Sequence, residues 1–417
     1  MLPHPVDEIR CSKSEDLKGF NVALCVTGSV ASYRALDLAR ELIRRGASVR
    51  FVATPASLRF VTPTMMYWAS GQKPIVKGTG RTEHIAIASG SGWAHAVVVA
   101  PATANTICKL ANGISDNVVM DVLVTALGSK KPIVVAPAMH SDMYFSPVVK
   151  EGLERLRKMG VVVVDPDFDE GRLRMASVEE IADVVEDSLN PVVGLRGLKV
   201  LVTAGPTREH LDPVRFLSNA SSGKMGYAIA SVCANNGAET FLVSGPTNLK
   251  PPKGVRFKGV TSTRDMLDAC LDVVDREGPQ IIVLAAAPSD FYFEESYSDK
   301  VSSDTTLRVT LKPTPRISKA LRERAPRAVL VGFKAEHGIP LEEHVKRARA
   351  RMEEHGFDIV VANDVSRRDI GFGSDFNEGV IITRVRTFAT GRLTKRALAR
   401  VLLREAVEAL KLKRASG

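Results

Sequence analysis

Short apolar runs alternate with amphipathic helical patterns along the whole chain, and this alternation limits the folds that the chain can adopt. Runs that are apolar at nearly every position are typical of parallel strands buried on both faces, with helices packed against the sheet. The pattern predicts an α/β fold with two doubly wound, Rossmann-like domains, whose ligands bind beyond the carboxyl ends of the strands. The predicted strands are Val22–Val26, Val49–Ala53, Ala96–Ala100, Ile133–Ala136 and Val161–Val164, followed by Leu198–Val202, Thr240–Val243, Ile281–Ala286, Ala328–Val331 and Asp358–Ala362.

One segment rich in turn-forming residues separates the two series of strands. Ser188–Gly197 contains a proline and two glycines and follows a helical pattern. A chain of 417 residues is long enough for two or three domains, each with its own core. We therefore predict a boundary at about residue 190, between a first domain of residues 1–190 and a second domain of residues 191–417.

The composition indicates a soluble globular protein. It is 45% hydrophobic and 25% charged, and no apolar run approaches the roughly 18 residues that span a bilayer. The first residues, MLPHPVDEIRCSKSEDLKGF, carry charges early and lack the apolar core of a signal peptide, so we expect a cytoplasmic location and no membrane partner. The five cysteines contain no CxxC pair, which argues against a zinc knuckle and a disulfide framework.

The distribution of charge bears on the partners of the protein. The formal net charge of +10 suits acidic partners. Lys and Arg are dispersed over helical faces such as Arg40–Arg50 and His344–Arg351 rather than gathered in one tail. This distribution favours phosphorylated small molecules over nucleic acid.

The stretch Thr203–Ala230, TAGPTREHLDPVRFLSNASSGKMGYAIA, has the pattern of an anion-binding loop. It follows a predicted strand, and the helix starting near Gly223 would direct its free N–H groups and positive dipole end toward the loop. Lys224 adds a positive charge, glycine lets the backbone approach a ligand, and Asn219 offers an amide. The alternative is an ordinary turn between strand and helix, since Ser, Asn and Gly are turn residues.

The first half has a simpler loop after its first strand. Thr27–Ser32 places hydroxyls and backbone N–H groups where a phosphate would dock, but Gly28 stands alone, without the three spaced glycines of a dinucleotide fingerprint. A mononucleotide such as FMN has one phosphate to bind and needs fewer glycines in this loop. Polar residues also follow later strands, at Thr54, in Ala100–Thr106 and in Ala136–Tyr144. Each of these segments is equally typical of a turn or a helix cap.

Several of these motifs together resemble a known family. TGSVASYRA, EHIAIASGSGW, APATAN and PAMHSDMY occur in the order and spacing of the flavin-dependent cysteine decarboxylases. The second half adds TAGPTREHLDPVRFLSNASSGKMG, AAAPSDF, VGFKAE, VANDV and GFGSD. Over about residues 20–410 the chain resembles the bifunctional coenzyme A biosynthesis proteins, in which phosphopantothenoylcysteine decarboxylase is fused to phosphopantothenate–cysteine ligase.

The resemblance implies a flavodoxin-like flavoprotein domain in the first half. In that family bound FMN oxidises the substrate thiol, which makes the adjacent carboxylate a good leaving group as carbon dioxide. His84 matches the catalytic histidine, and imidazole exchanges protons readily at neutral pH, whereas His95 is assigned to structure. The positions matched to FMN are Gly28, Ser29, Ala31, Thr54, Ala102, Thr103 and Asn105, and those matched to substrate are His140 and Met143.

Two departures from the family pattern concern the decarboxylase. His140 stands where the family usually has Asn, so the charge at this position depends on pH. Bacterial members also carry a flap cysteine that helps to complete the reaction, and the corresponding segment Asp165–Ser177 has none and looks short. Either Asp169, Glu170 or solvent supplies the proton instead, which we favour, or the decarboxylase is weakened.

For the second half the resemblance implies a nucleotide-binding ligase that activates a carboxylate with CTP as an acyl-cytidylate. Asn219 matches the residue that contacts the activated acyl group, Lys300 the lysine that neutralises phosphate charge, and Asp290 an acid that binds the nucleotide. Mg²⁺ is expected on the triphosphate, with ligands that the resemblance does not assign. Arg351 and His355 stand where family members commonly have lysines. The positions matched to CTP are Gly205, Ser222, Gly223, Lys224, Met225, Leu284, Ala285, Ala286, Asp290, Lys300, Pro315, Arg316, Ile317, Ser318, Phe333, Arg351 and His355.

Other interpretations stay open at this point. The chain could be a flavin oxidoreductase or prenyltransferase with an unrelated second half, or a non-catalytic regulator on the same scaffold, because fold alone does not fix function. The preference for CTP over ATP rests on the resemblance only. The family also implies a homo-oligomer, trimeric through the flavin half and dimeric through the ligase half, with 4′-phosphopantothenate, cysteine and CTP as its small-molecule partners.

Overall fold

The computed structural model describes residues 3–169, 171–304, 306–336, 341–364, 366–367, 369–371 and 373–415. The chain divides into two compact units, Met1–Asn190 (unit 1) and Pro191–Gly417 (unit 2). Within the described ranges, no helix is both long and apolar enough to cross a membrane.

Unit 1 is built around a five-stranded, all-parallel sheet. Its strand order is β2-β1-β3-β4-β5, so the chain moves from β1 to one side and then returns to the other. The strands are β1 (Asn21–Val26), β2 (Ser48–Ala53), β3 (Ala96–Ala102), β4 (Ile133–Pro137) and β5 (Val162–Val163), with a separate hairpin of β6 (Asp167–Asp169) and β7 (Arg172–Arg174). The helices are α1 (Pro5–Ile9), α2 (Arg34–Arg44), α3 (Pro63–Ser70), α4 (Glu83–Ala88), α5 (Ala104–Ala111), α6 (Val118–Gly128), α7 (Ser141–Tyr144), α8 (Pro147–Lys158) and α9 (Val178–Leu189).

Helices cover both faces of this sheet, as the apolar runs predict. Along β1, Val22, Leu24 and Val26 belong to one buried cluster with α2, α3 and α9. Ala23 and Cys25 point the other way, into a cluster with α5, α6 and α8. Because neighbouring residues of a strand face opposite sides, an apolar run is the pattern that a doubly covered strand requires.

Unit 2 repeats the design with a larger sheet, whose order is β12-β11-β8-β13-β16-β17-β18-β19. The first six strands in this order are parallel, whereas β18 and β19 are antiparallel and extend one edge. The sheet strands are β8 (Lys199–Ala204), β11 (Glu239–Ser244), β12 (Val255–Gly259), β13 (Ile281–Leu284), β16 (Val329–Glu336), β17 (Ile359–Asp364), β18 (Phe376–Thr383) and β19 (Thr387–Thr394), and two hairpins add β9 (Arg208–His210) with β10 (Phe216–Ser218) and β14 (Phe291–Phe293) with β15 (Leu311–Pro313).

Among the described residues of unit 2, five helices pack on the two faces of its sheet. They are α10 (Lys224–Asn235), α11 (Thr263–Glu277), α12 (Ile317–Arg324), α13 (Leu341–His355) and α14 (Lys395–Ala415). Val200 and Val202 face α10 and α14, and Leu201 between them faces α11 and α12. The predicted α/β fold with two parallel, doubly covered sheets is therefore confirmed, with an antiparallel edge that the sequence prediction did not include.

Candidate active sites

In unit 2 the chain reverses direction across the sheet next to β8. Since β11 lies on one side of β8 and β13 on the other, a crevice forms beyond the carboxyl ends of β8 and β13, where ligands of such sheets bind. The buried Thr203 hydroxyl accepts a hydrogen bond from the backbone N–H of Ala286 at 3.2 Å. The N–H of Ala287 donates to the carbonyl of Gly205 at 2.9 Å. These bonds fix the spacing of the two strand ends.

A cavity of about 450 Å³ opens beyond these strand ends, a size that suits a small organic ligand. Its wall contains aromatic rings. Its polar side chains come from four segments that are far apart in the sequence. The lining residues that the sequence predicted are Leu284, Ala286, Asp290, Pro315, Arg316, Ile317, Ser318, Phe333, Arg351 and His355. The lining residues that the sequence did not single out are Thr203, Met266, Pro288, Ser289, Phe291, Pro313, Thr314 and Phe357.

The unpredicted residues Ser289 and Thr314 shape one side of this cavity. The Thr314 hydroxyl donates to the carbonyl of Ser289 at 2.7 Å, and the N–H of Thr314 donates to the carbonyl of Asp290 at 3.0 Å. Asp290 itself is exposed at the end of this pairing, directly before β14. The sequence signal for these two residues is the pair of proline-containing segments APSDF and KPTP, which are typical of turns. The sequence alone does not indicate that the two segments contact each other.

His355 lies at the basic end of the cavity and is 5% exposed. Its Nδ1 is 2.8 Å from the Ser318 hydroxyl, and its ring stacks on Phe357 with 5.8 Å between centroids. Burial lowers the pKa of His355, and the charges of Arg351, Arg316 and Lys334 lower it further against the opposing effect of Glu354. The imidazole is therefore held in its neutral form at neutral pH.

The start of α10 lies against the carboxyl end of β8, as an anion-binding loop requires. Gly223 is the N-cap with φ +77°, a conformation that favours glycine. A Cβ on Gly226 would lie 2.5 Å from the Cβ of Ala204 and 2.9 Å from the carbonyl of Thr203, so only glycine permits this approach. Seven predicted nucleotide residues are nevertheless absent from the cavity lining within the described chain, namely Gly205, Ser222, Gly223, Lys224, Met225, Ala285 and Lys300.

Lys224 differs from its predicted role as a charge open to the ligand. Its Nζ bonds to the carbonyl of Gly373 at 2.9 Å and to the carboxylate of Asp375 at 2.7 Å. The physical reason is that the segment before β18 folds next to the start of α10 and supplies its own anion. The charge of Lys224 is thus shared with Asp375.

Asn219 reaches the edge of the cavity through the segment after β13. Its Nδ2 donates to the carbonyls of Ala287 at 3.2 Å and Pro288 at 2.9 Å, and Pro288 lines the cavity. Both amide hydrogens are therefore used to hold this segment, which leaves Oδ1 and the nearby backbone for a ligand. The structure brings Asn219 and the segment that carries Asp290 to one edge, as predicted.

Lys300, in contrast, does not line the cavity in the described structure. It is exposed, and its neighbour Val301 is anchored to the loop between β9 and β10. The N–H of Val301 donates to Asp212 at 3.2 Å, and Arg215 donates to the carbonyl of Val301 at 2.9 Å. The expectation that Lys300 gathers with Asn219 and Asp290 is therefore not met in this conformation, because its segment is tied to the outer loop.

Asp212 is the centre of that outer loop. Burial raises its pKa, but hydrogen bonds from the N–H groups of Val214, Arg215 and Val301 and the charge of Arg215 outweigh burial and lower the pKa. Asp212 forms an ion pair with Arg215 at 3.0 Å. Arg208 instead stacks over Phe216 at 4.5 Å from the ring centroid.

In unit 1 the corresponding crevice lies between β1 and β3. The buried Thr27 hydroxyl donates to the carbonyl of Pro101 at 2.7 Å and accepts the N–H of Thr103 at 3.1 Å. After Thr27 the backbone passes so close to Ala56 that a Cβ on Gly28 would lie 2.7 Å from its Cβ. The loop therefore has the close backbone approach that a phosphate-binding turn needs.

The other residues matched to FMN surround this crevice but also serve local structure. The Ser29 hydroxyl accepts the N–H of Ala31 and caps a short 3₁₀ helix, and the Thr103 hydroxyl caps α5. Thr54 accepts the N–H of Ser57 at 3.3 Å. The remaining matched residues lie at the end of β3 and in the exposed first turn of α5, namely Ala102 and Asn105. These caps are what the turn interpretation predicted, and the N–H of Ser29 is also used within the loop, where it donates to the carbonyl of Thr27 at 2.8 Å.

The candidate residues for catalysis and substrate binding lie on separate short helices. His84 is half-buried in the first turn of α4, after Thr82 with φ +50°. His140 caps α7, accepting the N–H of Asp142 at 3.3 Å, and its side chain is 70% exposed. Met143 is half-exposed in α7, whereas the His95 ring accepts the N–H of Asn21 and packs on Phe20, which is a structural role.

The short flap predicted in unit 1 is the hairpin of β6 and β7. Asp169, one candidate for the missing proton donor, is paired with Arg174 at 3.0 Å. Glu170, the other candidate, lies outside the described residues. The exposed ring of Phe168 at the hairpin, 69% exposed, is the apolar group that this flap offers.

The described part of the chain contains no group of three His, Cys, Asp or Glu side chains that could hold a metal ion. Among the residues that line the unit 2 cavity, Asp290 alone carries a carboxylate side chain. This donor set suits Mg²⁺ held mainly by the phosphates of a ligand, which is the usual arrangement for nucleotide-bound magnesium.

Comparisons with known proteins agree with this division of the chain. Residues 10–190 match the flavoprotein family model, and residues 195–410 match the DNA/pantothenate metabolism flavoprotein C-terminal domain. The coenzyme A biosynthesis bifunctional protein CoaBC of Thermococcus kodakarensis is 42% identical over 398 residues, which cover 95% of this chain and 97% of that protein. The CoaBC protein of Bacillus subtilis is 37% identical and covers 87% of this chain and 90% of its own length.

Among solved structures, the C-terminal domain of a coenzyme A biosynthesis bifunctional protein CoaBC matches 52% of this chain and 97% of its own length, with 34% identity and a TM-score of 0.44. Each family model matches one unit, and the matches of the full-length relatives span both units. They disfavour a flavin enzyme with an unrelated second half.

Proposed function

Because the chain belongs to the family of bifunctional coenzyme A biosynthesis proteins, we propose that unit 2 ligates cysteine to 4′-phosphopantothenate with CTP and that unit 1 decarboxylates the product with FMN. The main support for the ligase half is the cavity beyond β8 and β13, which is lined by ten of the residues matched to CTP, those given above. A non-catalytic regulator on the same scaffold would have no need of this lining.

The ligase reaction divides into two balanced steps. An oxygen of the substrate carboxylate attacks the α-phosphorus of CTP, and pyrophosphate leaves with the bonding electrons. The amine of cysteine then attacks the acyl carbon, loses a proton, and expels CMP. Both steps develop negative charge on oxygen, which preorganised donors stabilise.

The described side chains divide these tasks. Arg316, Arg351 and the amino end of α12 bind phosphate charge at the basic end of the cavity. Asn219 positions the backbone next to Pro288, where the acyl group is activated. Lys300 acts only if its segment moves from the outer loop toward the cavity, a motion that the ligand phosphates would favour.

In unit 1 the turn at Gly28 would hold the FMN phosphate through its backbone and the hydroxyl of Ser29. Bound FMN would take two electrons from the substrate thiol, which makes the adjacent carboxylate a good leaving group as carbon dioxide, and would return them to the decarboxylated product. His84 exchanges a proton with the substrate, and His140 donates to its carboxylate. Asp169 is already paired with Arg174, so solvent is the proton source that we favour at the flap.

The test of this function is a pair of measurements on the purified full chain. We expect a yellow protein that releases pyrophosphate and carbon dioxide when it is given 4′-phosphopantothenate, cysteine, CTP and Mg²⁺. Replacing CTP with ATP or UTP measures the base preference. A colourless protein that makes no pyrophosphate with any of the three nucleotides would overturn the proposal.

Assembly and location remain predictions of the family resemblance. We propose trimers through unit 1 and dimers through unit 2, in the cytoplasm. Light scattering of the full chain and of each unit expressed alone would measure the assembly, and a monomeric unit 1 would contradict it.

A further inference from the structure

His355 is placed unlike an ordinary surface histidine. It is the last residue of α13, it is 95% buried, and it lines the unit 2 cavity. Ser318 holds its Nδ1 at 2.8 Å, and Phe357 supports one face of the ring. Within the part of the chain that the structure describes, its buried Nε2 has no hydrogen-bond partner. Leaving a buried polar atom without a partner is costly, which points to a group that arrives with a ligand.

The charges around His355 come from each element that packs against it. Arg351 and Glu354 lie on its own helix, Arg316 precedes α12, and Lys334 belongs to β16. The carboxylate of Glu354 is 3.7 Å from Nε2 but is 68% exposed, so water screens it. The carboxyl end of α13 also favours a cation. Burial and the three cations outweigh Glu354, so the pKa of His355 in the free protein lies below its ordinary value and the ring is mostly neutral at neutral pH.

An anion entering this end of the cavity reverses that balance. Its negative charge offsets Arg316, Arg351 and Lys334, which are the groups that keep the imidazole neutral. It also offers an acceptor for an N–H on Nε2, which exists there in the protonated ring whatever the tautomer of the neutral one. A lysine at this position would be charged before and after binding, whereas a histidine becomes charged only on binding.

We propose that His355 makes nucleotide binding proton-linked: the imidazole is neutral in the free enzyme and takes up one proton when the phosphate groups of the nucleotide bind beside it. The inference rests on the proposed ligase function, and it adds a pH-dependent charge to the same cavity. Ser318 fixes the ring, so in the protonated form the N–H on Nε2, the side that lacks a partner, faces the ligand.

The sign of the effect follows from linkage. The protonated form binds an anion more tightly, so nucleotide affinity rises as the pH falls through the bound-state pKa of His355. The rise ends once the free protein is also protonated, which happens below the ordinary imidazole pKa of about 6.5 because the free-state pKa is lowered. One linked proton changes the dissociation constant by at most about tenfold per pH unit within this window.

Calorimetric titration of the full-length enzyme with CTP and Mg²⁺ tests the proposal at about pH 7. Repeating the titration in two buffers of different ionisation enthalpy counts the protons bound with the nucleotide. We expect the wild type to take up more protons than His355→Gln, by up to one. His4→Asn is the matched control, because His4 caps α1 far from the cavity in sequence and Asn is also a capping residue, so its proton count should equal that of the wild type.

His355→Lys is the second variant and keeps the test valid if His355→Gln does not fold. Lysine is charged throughout, so we expect CTP affinity of this variant to fall less than that of the wild type between pH 6 and 8. The titration of CTP itself is common to all variants and cancels in the comparison. Equal proton counts in the wild type and His355→Gln, or parallel pH profiles in the wild type and His355→Lys, would overturn the inference. Absence of any CTP binding by the wild type would instead refute the proposed ligase function.

Discussion

The two units connect the ends of neighbouring strands with the same threonine contact, but they differ in the segments that surround it. In each, a buried threonine at the end of the first strand, Thr27 or Thr203, accepts an N–H from the segment that follows the neighbouring strand. In unit 2, the hairpin inserted after β13 contributes Phe291 and Pro313 to a cavity of about 450 Å³. In unit 1, candidate residues such as His140 lie on an exposed surface. The strand order decides where a ligand binds, and the inserted segments decide how enclosed it is.

The units also differ in the sign of their buried charge clusters. In unit 1 the cation Arg45 lies within 2.6–3.0 Å of Glu41, Asp183 and Glu186, and Lys13 also pairs with Glu41 at 2.6 Å. In unit 2 the carboxylate of Asp358, 2% exposed, lies within 2.7–3.2 Å of Arg322, Arg384 and Lys413. Each cluster ties the last helix of its unit to earlier elements. Removal of the central residue therefore leaves neighbouring like charges with less compensation.

The largest loss of activity confined to one unit is expected for His84→Asn. We expect this change to slow carbon dioxide release from 4′-phospho-N-pantothenoylcysteine by about 10²–10⁴-fold, the usual contribution of a general acid–base group. Pyrophosphate release by unit 2 should stay unchanged. His95→Asn is the control, because His95 has a structural contact with Asn21. Equal loss of both activities in His84→Asn would break the division of labour between the units.

Asn219→Asp should act on the other unit alone. The carboxylate loses both bonds to Ala287 and Pro288 and repels their carbonyls, so we expect pyrophosphate release to fall by about 10²–10³-fold, as when one preorganised donor is lost. Asn248→Asp, on an exposed loop of the same unit, is the control for added charge. Ligase activity close to that of the wild type would show that Asn219 does not support the site.

Asp358→Asn tests the charge cluster of unit 2. We expect unit 2 to lose about 3 kcal/mol of unfolding free energy, the low end for a broken buried ion pair, because Arg384 stays largely exposed. Both tryptophans, Trp68 and Trp93, lie in unit 1, so their fluorescence follows unit 1 while amide hydrogen exchange follows unit 2. Unchanged exchange in unit 2 would contradict this expectation.

Asp275→Asn is the matched control for that experiment. Asp275 pairs with Arg324 on the surface of the same unit, and both side chains are exposed. Exposed pairs contribute little to stability, so this variant should behave nearly as the wild type does. A loss as large as that of Asp358→Asn would mean that burial does not explain the difference.

The smallest expected effect is a pH dependence of the same cluster. Burial raises the pKa of Asp358, but hydrogen bonds from Lys413 and the N–H of Leu330 and the charge of Arg322 outweigh it and lower the pKa. The stability that comes from a lowered folded-state pKa is fully present above the unfolded-state pKa of about 3.9. It is lost as the pH falls through the folded-state pKa. The gap in unit 2 stability between wild type and Asp358→Asn should therefore narrow below about pH 4, measured by hydrogen exchange corrected for pH. A constant gap would contradict it.

The sequence predicted the fold well where burial makes a strand continuously apolar. β1 and β8 are such strands. β12 and β19 were missed, because strands at the edge of a sheet are partly exposed and carry polar residues. Their sequences resemble loops until the neighbouring strand is known.

Site prediction succeeded where one motif carries the geometry and failed where distant segments meet. The loop leading to Gly223 and the approach of α10 follow from glycines that are visible in the sequence. The burial of His355 depends on Ser318 and Phe357 in three dimensions, and the pairing of Lys224 with Asp375 joins segments 151 residues apart. Such contacts are tertiary, so a local sequence pattern does not predict them.

The threonine hydroxyl at the end of β8 has a consequence for how this enzyme can change over time. Because the Thr203 hydroxyl accepts the backbone N–H of Ala286, the spacing of these two strand ends is held by that bond and does not depend on the side chains of Arg351 and His355. Lineages can then exchange those side chains one at a time while the opening keeps its shape. Arg351 and His355, at positions where the family commonly has lysines, are substitutions that such a frame tolerates.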